Sequence, residues 1–187
     1  MDASSLCDPT SNQIPIDLFV SKKHPGLSRG DLGFADSCGN LLFRVKIISS
    51  RHSSSRKWAV INQLGTTLIS IHRRPNGNWH CYKGDSEGEK ELVFKVQRTV
   101  NEFCRTELEV SFVKESSGEF TSDLKVKGCV FQRSFTIYAE NSVIAQGSLM
   151  YKLHQILVRR SAFRLTIFPG SLDHSLVVAL VVIFLDG

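Results

Sequence analysis

Ten consecutive apolar residues, Leu176 to Leu185, lie near the end of this sequence and present no polar face. A helix that is apolar on every side must be surrounded, either by lipid or by the interior of the protein. A membrane-spanning helix needs roughly 20 apolar residues, and Asp173 and Asp186 bound a shorter run. The run therefore predicts a segment buried inside the protein, and a membrane segment is the less favoured alternative.

The residues before this run indicate a helix rather than a buried strand. Val and Ile dominate the run, so its hydrophobic period alone cannot separate the two structures. However, Pro169 and Gly170 end the preceding strand pattern, and Ser171, Asp173 or Ser175 can cap the first turn of a helix. We therefore expect a C-terminal helix that begins just after these residues.

Short β-strands are predicted for most of the remaining sequence. From Leu41 to Ile47, every second residue is apolar and is expected to point inward, whereas Arg44 and Lys46 are expected to point outward. About eleven short segments of this kind, separated by turn signals, predict a sandwich or a closed barrel. A closed barrel is favoured because it removes exposed strand edges and supplies an apolar lumen for the helix.

Length and composition fit one domain, which we expect to span residues 14–187 after a flexible leader at residues 1–13. The chain has 187 residues, of which 42% are hydrophobic and 22% charged, and can bury a full core. The leader is polar and lacks the apolar segment of a signal peptide. Five cysteines, none in a C-x-x-C pair, argue against a disulfide framework or a structural zinc site. We expect a cytoplasmic protein that can also be nuclear or peripheral at the plasma membrane.

Enzyme motifs are missing from the sequence, including the G-x-S-x-G elbow, H-E-x-x-H, the P-loop and the dinucleotide fingerprint. His80 and Cys81 are adjacent on a predicted strand, where neighbours point to opposite faces, so they do not form a catalytic dyad. His72 and His80 flank a turn and could bind a metal if they approached, but two exposed strand histidines are the favoured interpretation. We predict a non-enzymatic protein without catalytic residues, metal or cofactor.

Cations and acids are unevenly distributed along the chain. The segment between Asp36 and Asp85 contains Lys and Arg residues but no acid, and the net charge of the chain is +5. Such segregation can create a face of one sign that attracts anionic lipid headgroups or nucleic acid. The candidate anion-binding residues are Arg44, Lys46, Arg51, Arg56, Lys57, Arg73 and Arg74. The alternative interpretation is that these residues are the solvated outer faces of barrel strands.

Three segments resemble the plant LURP-one-related family. They are GNLLFRV at residues 39–45, KGCVFQRSFTIY at residues 127–138 and FRLTIFPGSLDHSLVVALVVI at residues 163–183. The family is similar in fold to the tubby C-terminal domain and to phospholipid scramblases. The resemblance implies a mainly β fold, a closed antiparallel β-barrel of about twelve strands that encloses a central hydrophobic C-terminal α-helix.

For function, the resemblance implies a role in plant defence or stress signalling. Tubby domains bind phosphoinositides through a basic surface, and by analogy this chain would bind acidic phospholipid headgroups or a protein partner. The alternatives are a protein-interaction scaffold that binds no lipid and a scramblase-like membrane protein. We expect a monomer without a transmembrane span, and nucleic-acid binding is disfavoured because no reading motif accompanies the charge.

Overall fold

Twelve strands and one helix make up the fold. The computed structural model describes residues 14–48, 56–85, 91–113, 120–149, 162–170 and 172–186. The predicted leader at residues 1–13 and the candidate Arg51 lie outside these described residues. The elements are β1 Ile16–Ser21, β2 Leu32–Ala35, β3 Leu41–Ile47, β4 Lys57–Asn62, β5 Thr67–Arg73, β6 Trp79–Lys83, β7 Leu92–Glu102, β8 Arg105–Val113, β9 Phe120–Cys129, β10 Ser134–Ala139, β11 Ser142–Leu149, β12 Ala162–Ile167 and α1 His174–Asp186.

The strands close into an antiparallel barrel. Each strand pairs with its neighbour in sequence, and β1 also pairs with β12, with Leu18 opposite Leu165. Closure gives every strand a partner on both sides, so the sheet has no exposed edge. The predicted fold class, a closed antiparallel barrel of about twelve strands around a C-terminal helix, is confirmed.

Helix α1 begins at the residues that the sequence indicated and lies inside the barrel. The Asp173 carboxylate accepts a hydrogen bond from the Ser175 amide (Oδ1 to N, 2.7 Å), which caps the first turn. Every residue from Val177 to Phe184 is buried. The helix packs mainly against β5, with further contacts to β3 and β4. The ten-residue apolar run is therefore a core element, as predicted.

The barrel end at which α1 terminates positions the candidate site, and we call it the C-terminal mouth. β5 ends beside Asp186 at this mouth. Because neighbouring strands are antiparallel, the other odd-numbered strands end there too. Ile47, predicted to point inward, is on the same strand face as buried Val45 but is 56% exposed. It is the last residue of β3, so it lies at this mouth rather than in the core.

Across the described ranges, no helix combines the length and the apolar character that a bilayer crossing requires.

Replacing Ala179 by Asp tests the buried position of α1. Ala179 is 0% exposed, so the variant buries an unpaired charge. We expect the free energy of unfolding to fall by about 4 kcal/mol or more, which is most of the stability of a marginally stable domain. Urea denaturation followed by circular dichroism measures the change.

Leu64→Asp is the matched control, because Leu64 is 89% exposed in the turn between β4 and β5. We expect this variant to unfold within about 0.5 kcal/mol of the parent protein. A folded Ala179→Asp protein with parental stability would contradict the buried helix.

Candidate functional site

The cations that the sequence grouped together are divided by the fold between two places. Strand alternation puts Arg44, Lys46 and Lys57 on the outer wall of the barrel, opposite in direction to buried Val45 and Trp58. Arg56 and Arg73 belong to the C-terminal mouth, and Arg74 lies in the turn between β5 and β6.

A row of four basic side chains crosses the outer wall. Lys57 is opposite His72, His72 is opposite His80, and His80 is opposite Lys95 on four consecutive strands. Side chains at directly opposite positions of antiparallel strands have Cβ atoms about 4.5–5.5 Å apart. We call these residues the basic row. It brings together groups from β4 to β7 that are far apart in the sequence.

Lys46 extends the basic row onto β3. It is opposite Ala59, which makes Lys57 its diagonal neighbour on the same face. In the part of the chain that the structure describes, neither Lys46 nor Lys57 belongs to an ion pair. Their charges are therefore available to an external anion.

Arg74 and Tyr82 hold the histidines of the basic row in place. The Arg74 guanidinium donates to the Tyr82 hydroxyl (Nη2 to Oη, 2.8 Å) and to the His80 ring (Nε to Nδ1, 3.3 Å). The Tyr82 ring lies 5.0 Å from the His72 ring between centroids. Burial lowers the pKa of His80, and the positive charges of Arg74 and Lys95 lower it further. His80 is therefore neutral at pH 7, and its Nδ1 can accept the Arg74 hydrogen bond.

Arg44 has a structural role. Its guanidinium donates to the Gly26 carbonyl (Nη2 to O, 2.8 Å) and ties the loop between β1 and β2 to β3. The side chain is half-buried. It contributes less to an outer charged surface than the sequence indicated.

Asp186, the last residue of α1, organises the C-terminal mouth. Its two carboxylate oxygens pair with Arg56 (Oδ1 to Nη1, 3.1 Å) and Arg73 (Oδ2 to Nη1, 3.3 Å). A helix C-terminus carries a partial negative charge, so the two guanidinium groups also compensate the helix dipole. Arg56 and Arg73 are thus partly neutralised from within the protein.

Two arginines also stack on Trp79 at this mouth. The guanidinium carbons of Arg73 and Arg98 lie 5.6 Å and 5.2 Å from the centroid of its ring. Burial and the nearby Arg73 charge lower the pKa of Arg98, and Asp186 opposes that shift. These contacts are cation–π interactions in a partly desolvated position.

His80 and Cys81 are not arranged as a catalytic dyad. Burial raises the pKa of Cys81 well above its usual range, so the thiol stays protonated and unreactive. Cys81 is buried while His80 lies on the outer wall, as alternation predicted. Within the described ranges, no cluster of three His, Cys, Asp or Glu side chains is placed to hold a metal.

Lys95 and His72 show what the linear charge pattern missed. Lys95 lies beyond the acid-free segment between Asp36 and Asp85. It joins the basic row only through the pairing of β6 with β7. His72 was expected to be exposed, but it is only 6% exposed, although strand alternation directs it away from the buried Ile71. Alternation within each strand predicts which side chains point outward, whereas the register between strands could not be read from the sequence.

Comparison with known proteins agrees with this fold. The model of the LURP-one-related family matches residues 16–186. The chain belongs to the LURP-one-related family. Among its relatives in Arabidopsis thaliana, LURP-one-related 7 is 56% identical over 94% of this chain and 91% of its own length. LURP-one-related 15 is 28% identical over 92% of this chain and 80% of its own length.

A solved structure of the same architecture is also known. An X-ray structure of an Arabidopsis thaliana protein superposes with a TM-score of 0.65 and 25% identity, covering 93% of this chain and 91% of that one. The LURP-one-related assignment made from three sequence segments is therefore confirmed.

Asp186→Asn tests the charge balance at the C-terminal mouth. The variant leaves Arg56 and Arg73 without their carboxylate partner, and we expect the free energy of unfolding to fall by about 1 kcal/mol, since both arginines are partly solvated. Glu91→Gln is the control, because the Glu91–Lys83 pair is largely exposed and should contribute less than about 0.5 kcal/mol. Equal urea midpoints for the two variants would contradict the organising role of Asp186.

Proposed function

We propose that this LURP-one-related protein is a non-enzymatic module that binds acidic phospholipid headgroups through the outer wall of its barrel. The binding surface consists of the basic row together with Lys46 and Arg74, and we call it the outer basic surface. The observation that carries the proposal is the strand pairing that brings Lys57, His80 and Lys95 onto one outer face, with the buried His72 between Lys57 and His80. Such a surface suits a peripheral protein of the plasma membrane in defence or stress signalling.

The size of the charge sets the expected strength of binding. Basic residues at an anionic membrane surface contribute about 1 kcal/mol each, so Lys46, Lys57, Arg74 and Lys95 would supply roughly 4 kcal/mol. That energy corresponds to a weak dissociation constant, near 1 mM, for a membrane whose headgroups each carry one negative charge. Headgroups with several phosphates would bind more tightly, and Arg74 can contact phosphate oxygens with two nitrogens at once. Arg51 stays a candidate on sequence grounds alone.

A protein partner is the second candidate, supported by an exposed aromatic pair. Phe103 and Phe131 are 84% and 54% exposed, and their ring centroids lie 5.9 Å apart. Exposed aromatic side chains at turn tips are common anchors of protein interfaces. If a variant that no longer binds lipid still functions in the plant, that result would favour a role as a protein-interaction scaffold.

Vesicle co-sedimentation tests lipid binding. We expect the triple variant Lys46→Gln, Lys57→Gln, Arg74→Gln to bind vesicles containing phosphatidylinositol 4,5-bisphosphate roughly 100-fold more weakly, since three cations at about 1 kcal/mol each are lost. The measurement is the lipid concentration that sediments half of the protein, at low and high salt.

The control removes the same charge from elsewhere on the barrel. Arg105, Lys125 and Lys127 each form an ion pair with Glu107 or Glu109. Their triple Gln variant also removes three positive charges, so its change in net charge is the same. We expect it to keep most of its affinity. An equal loss in both triple variants would mean that net charge alone drives binding, and no loss in the first would exclude the outer basic surface.

Vesicle binding should also strengthen as the pH falls. Burial and the charges of Arg74 and Lys95 lower the pKa of His80 in the free protein, so the ring gains its positive charge only at a pH below the ordinary range of histidine. With phosphatidylglycerol vesicles, whose headgroup keeps its charge, we expect affinity to rise severalfold between about pH 7.5 and about pH 5. The His80→Gln variant should show a smaller rise, and an unchanged pH profile in this variant would exclude His80.

A further inference from the structure

A cavity of about 580 Å³ opens at the C-terminal mouth, separate from the outer basic surface. It lies between the start of β2, the end of β3, the start of β4 and the last turns of α1. Small-molecule sites in proteins have volumes of about 300–1,000 Å³ and are mostly apolar with a few polar groups at defined positions. The volume of this cavity lies in that range, and its lining combines apolar side chains with charged ones.

The inner wall of the cavity is apolar. Val45, Trp58 and Val182 line it, and each is at most 6% exposed. Ile47 and Leu185 extend this wall towards the opening. The accessible apolar surface is that of Ile47 and Leu185, and it favours a ligand with a hydrocarbon portion.

The rim of the cavity is cationic. Lys22, Arg56 and Arg133 line it together with a single acid, Asp186. Both oxygens of that carboxylate are already engaged, by Arg56 and by Arg73. Across the residues that the structure describes, Lys22 and Arg133 take part in no ion pair, so positive charge at the rim exceeds negative charge.

Arg133 is the least ordinary of these cations. Its backbone has a φ of 53°, which is uncommon for a residue other than glycine, in the turn between β9 and β10. The side chain is half-buried, and burial lowers its pKa. A partly desolvated guanidinium is stabilised when an anion approaches it.

We propose that this cavity binds a single-chain amphiphilic anion. The carboxylate or phosphate of the ligand contacts Lys22 and Arg133 at the rim, and its hydrocarbon chain packs against Val45, Trp58 and Val182. A fatty acid and a lysophospholipid share this chemistry. The site does not depend on the proposed membrane binding, which uses outward-pointing side chains that do not line the cavity.

Binding of cis-parinaric acid, a fluorescent fatty acid, tests the proposal on the full chain. Because Trp58 lines the cavity, we expect saturable energy transfer from tryptophan to the probe below its micelle concentration. The double variant Lys22→Gln, Arg133→Gln should weaken binding at least tenfold. Arg105→Gln is the control, since Arg105 lies at the same mouth but pairs with Glu107, and it should leave binding unchanged.

A second variant separates loss of the site from loss of folding. Ile47→Trp places a large side chain at the opening, and Ile47 is exposed enough to accept it without repacking the core. We expect a folded protein, by circular dichroism, that no longer binds the probe. Unchanged binding in both this variant and the double variant, or binding that never saturates, would overturn the proposal.

Competition with palmitate and with lysophosphatidic acid identifies the headgroup. Displacement of the probe by either anion supports the site and assigns it to carboxylate or phosphate. Equal displacement by the uncharged alcohol hexadecanol would overturn the role of the cations. The outer variant Lys46→Gln, Lys57→Gln, Arg74→Gln should bind the probe normally, so failure of this site and failure of membrane binding give different results.

Discussion

The mutual burial of α1 and the barrel is the constraint on which the other features depend. Side chains alone just fill the interior of a barrel of about eight strands, whereas this barrel has twelve. A helix with its side chains has a diameter of about 10–12 Å and fills the additional space. In return, the barrel removes from water a helix that is buried continuously from Val177 to Phe184. Neither element would be stable without the other.

Because the helix occupies the interior, ligands can reach only the outer wall and the two mouths of the barrel. The two cationic surfaces there have different physical origins. Strand register assembles the outer basic surface, which extends from Lys46 on β3 to Lys95 on β7. The end of the helix determines the C-terminal mouth, where Asp186 draws Arg56 and Arg73 inward. A stretch of sequence rich in cations thus contributes to two different surfaces.

The sequence predicted the architecture well, because apolar periodicity and the fully apolar run are local signals. It placed Arg44 and Lys46 on the outer wall, since alternation along a strand is also local. It did not predict that Lys95 joins Lys57, because that depends on register across four strands. Nor did it indicate Lys22 and Arg133, which meet only where two separate turns approach the end of α1.

Hydrogen exchange of the native protein, with and without anionic vesicles, tests the central claim that α1 stays sealed inside the barrel. The account predicts that amides of α1 and of β5, which contact each other, exchange equally slowly and only through global unfolding. Vesicles should leave this protection unchanged, because the proposed membrane binding uses the outer wall. Faster exchange in β5 on addition of vesicles would mean that the helix leaves the core, and would contradict the account.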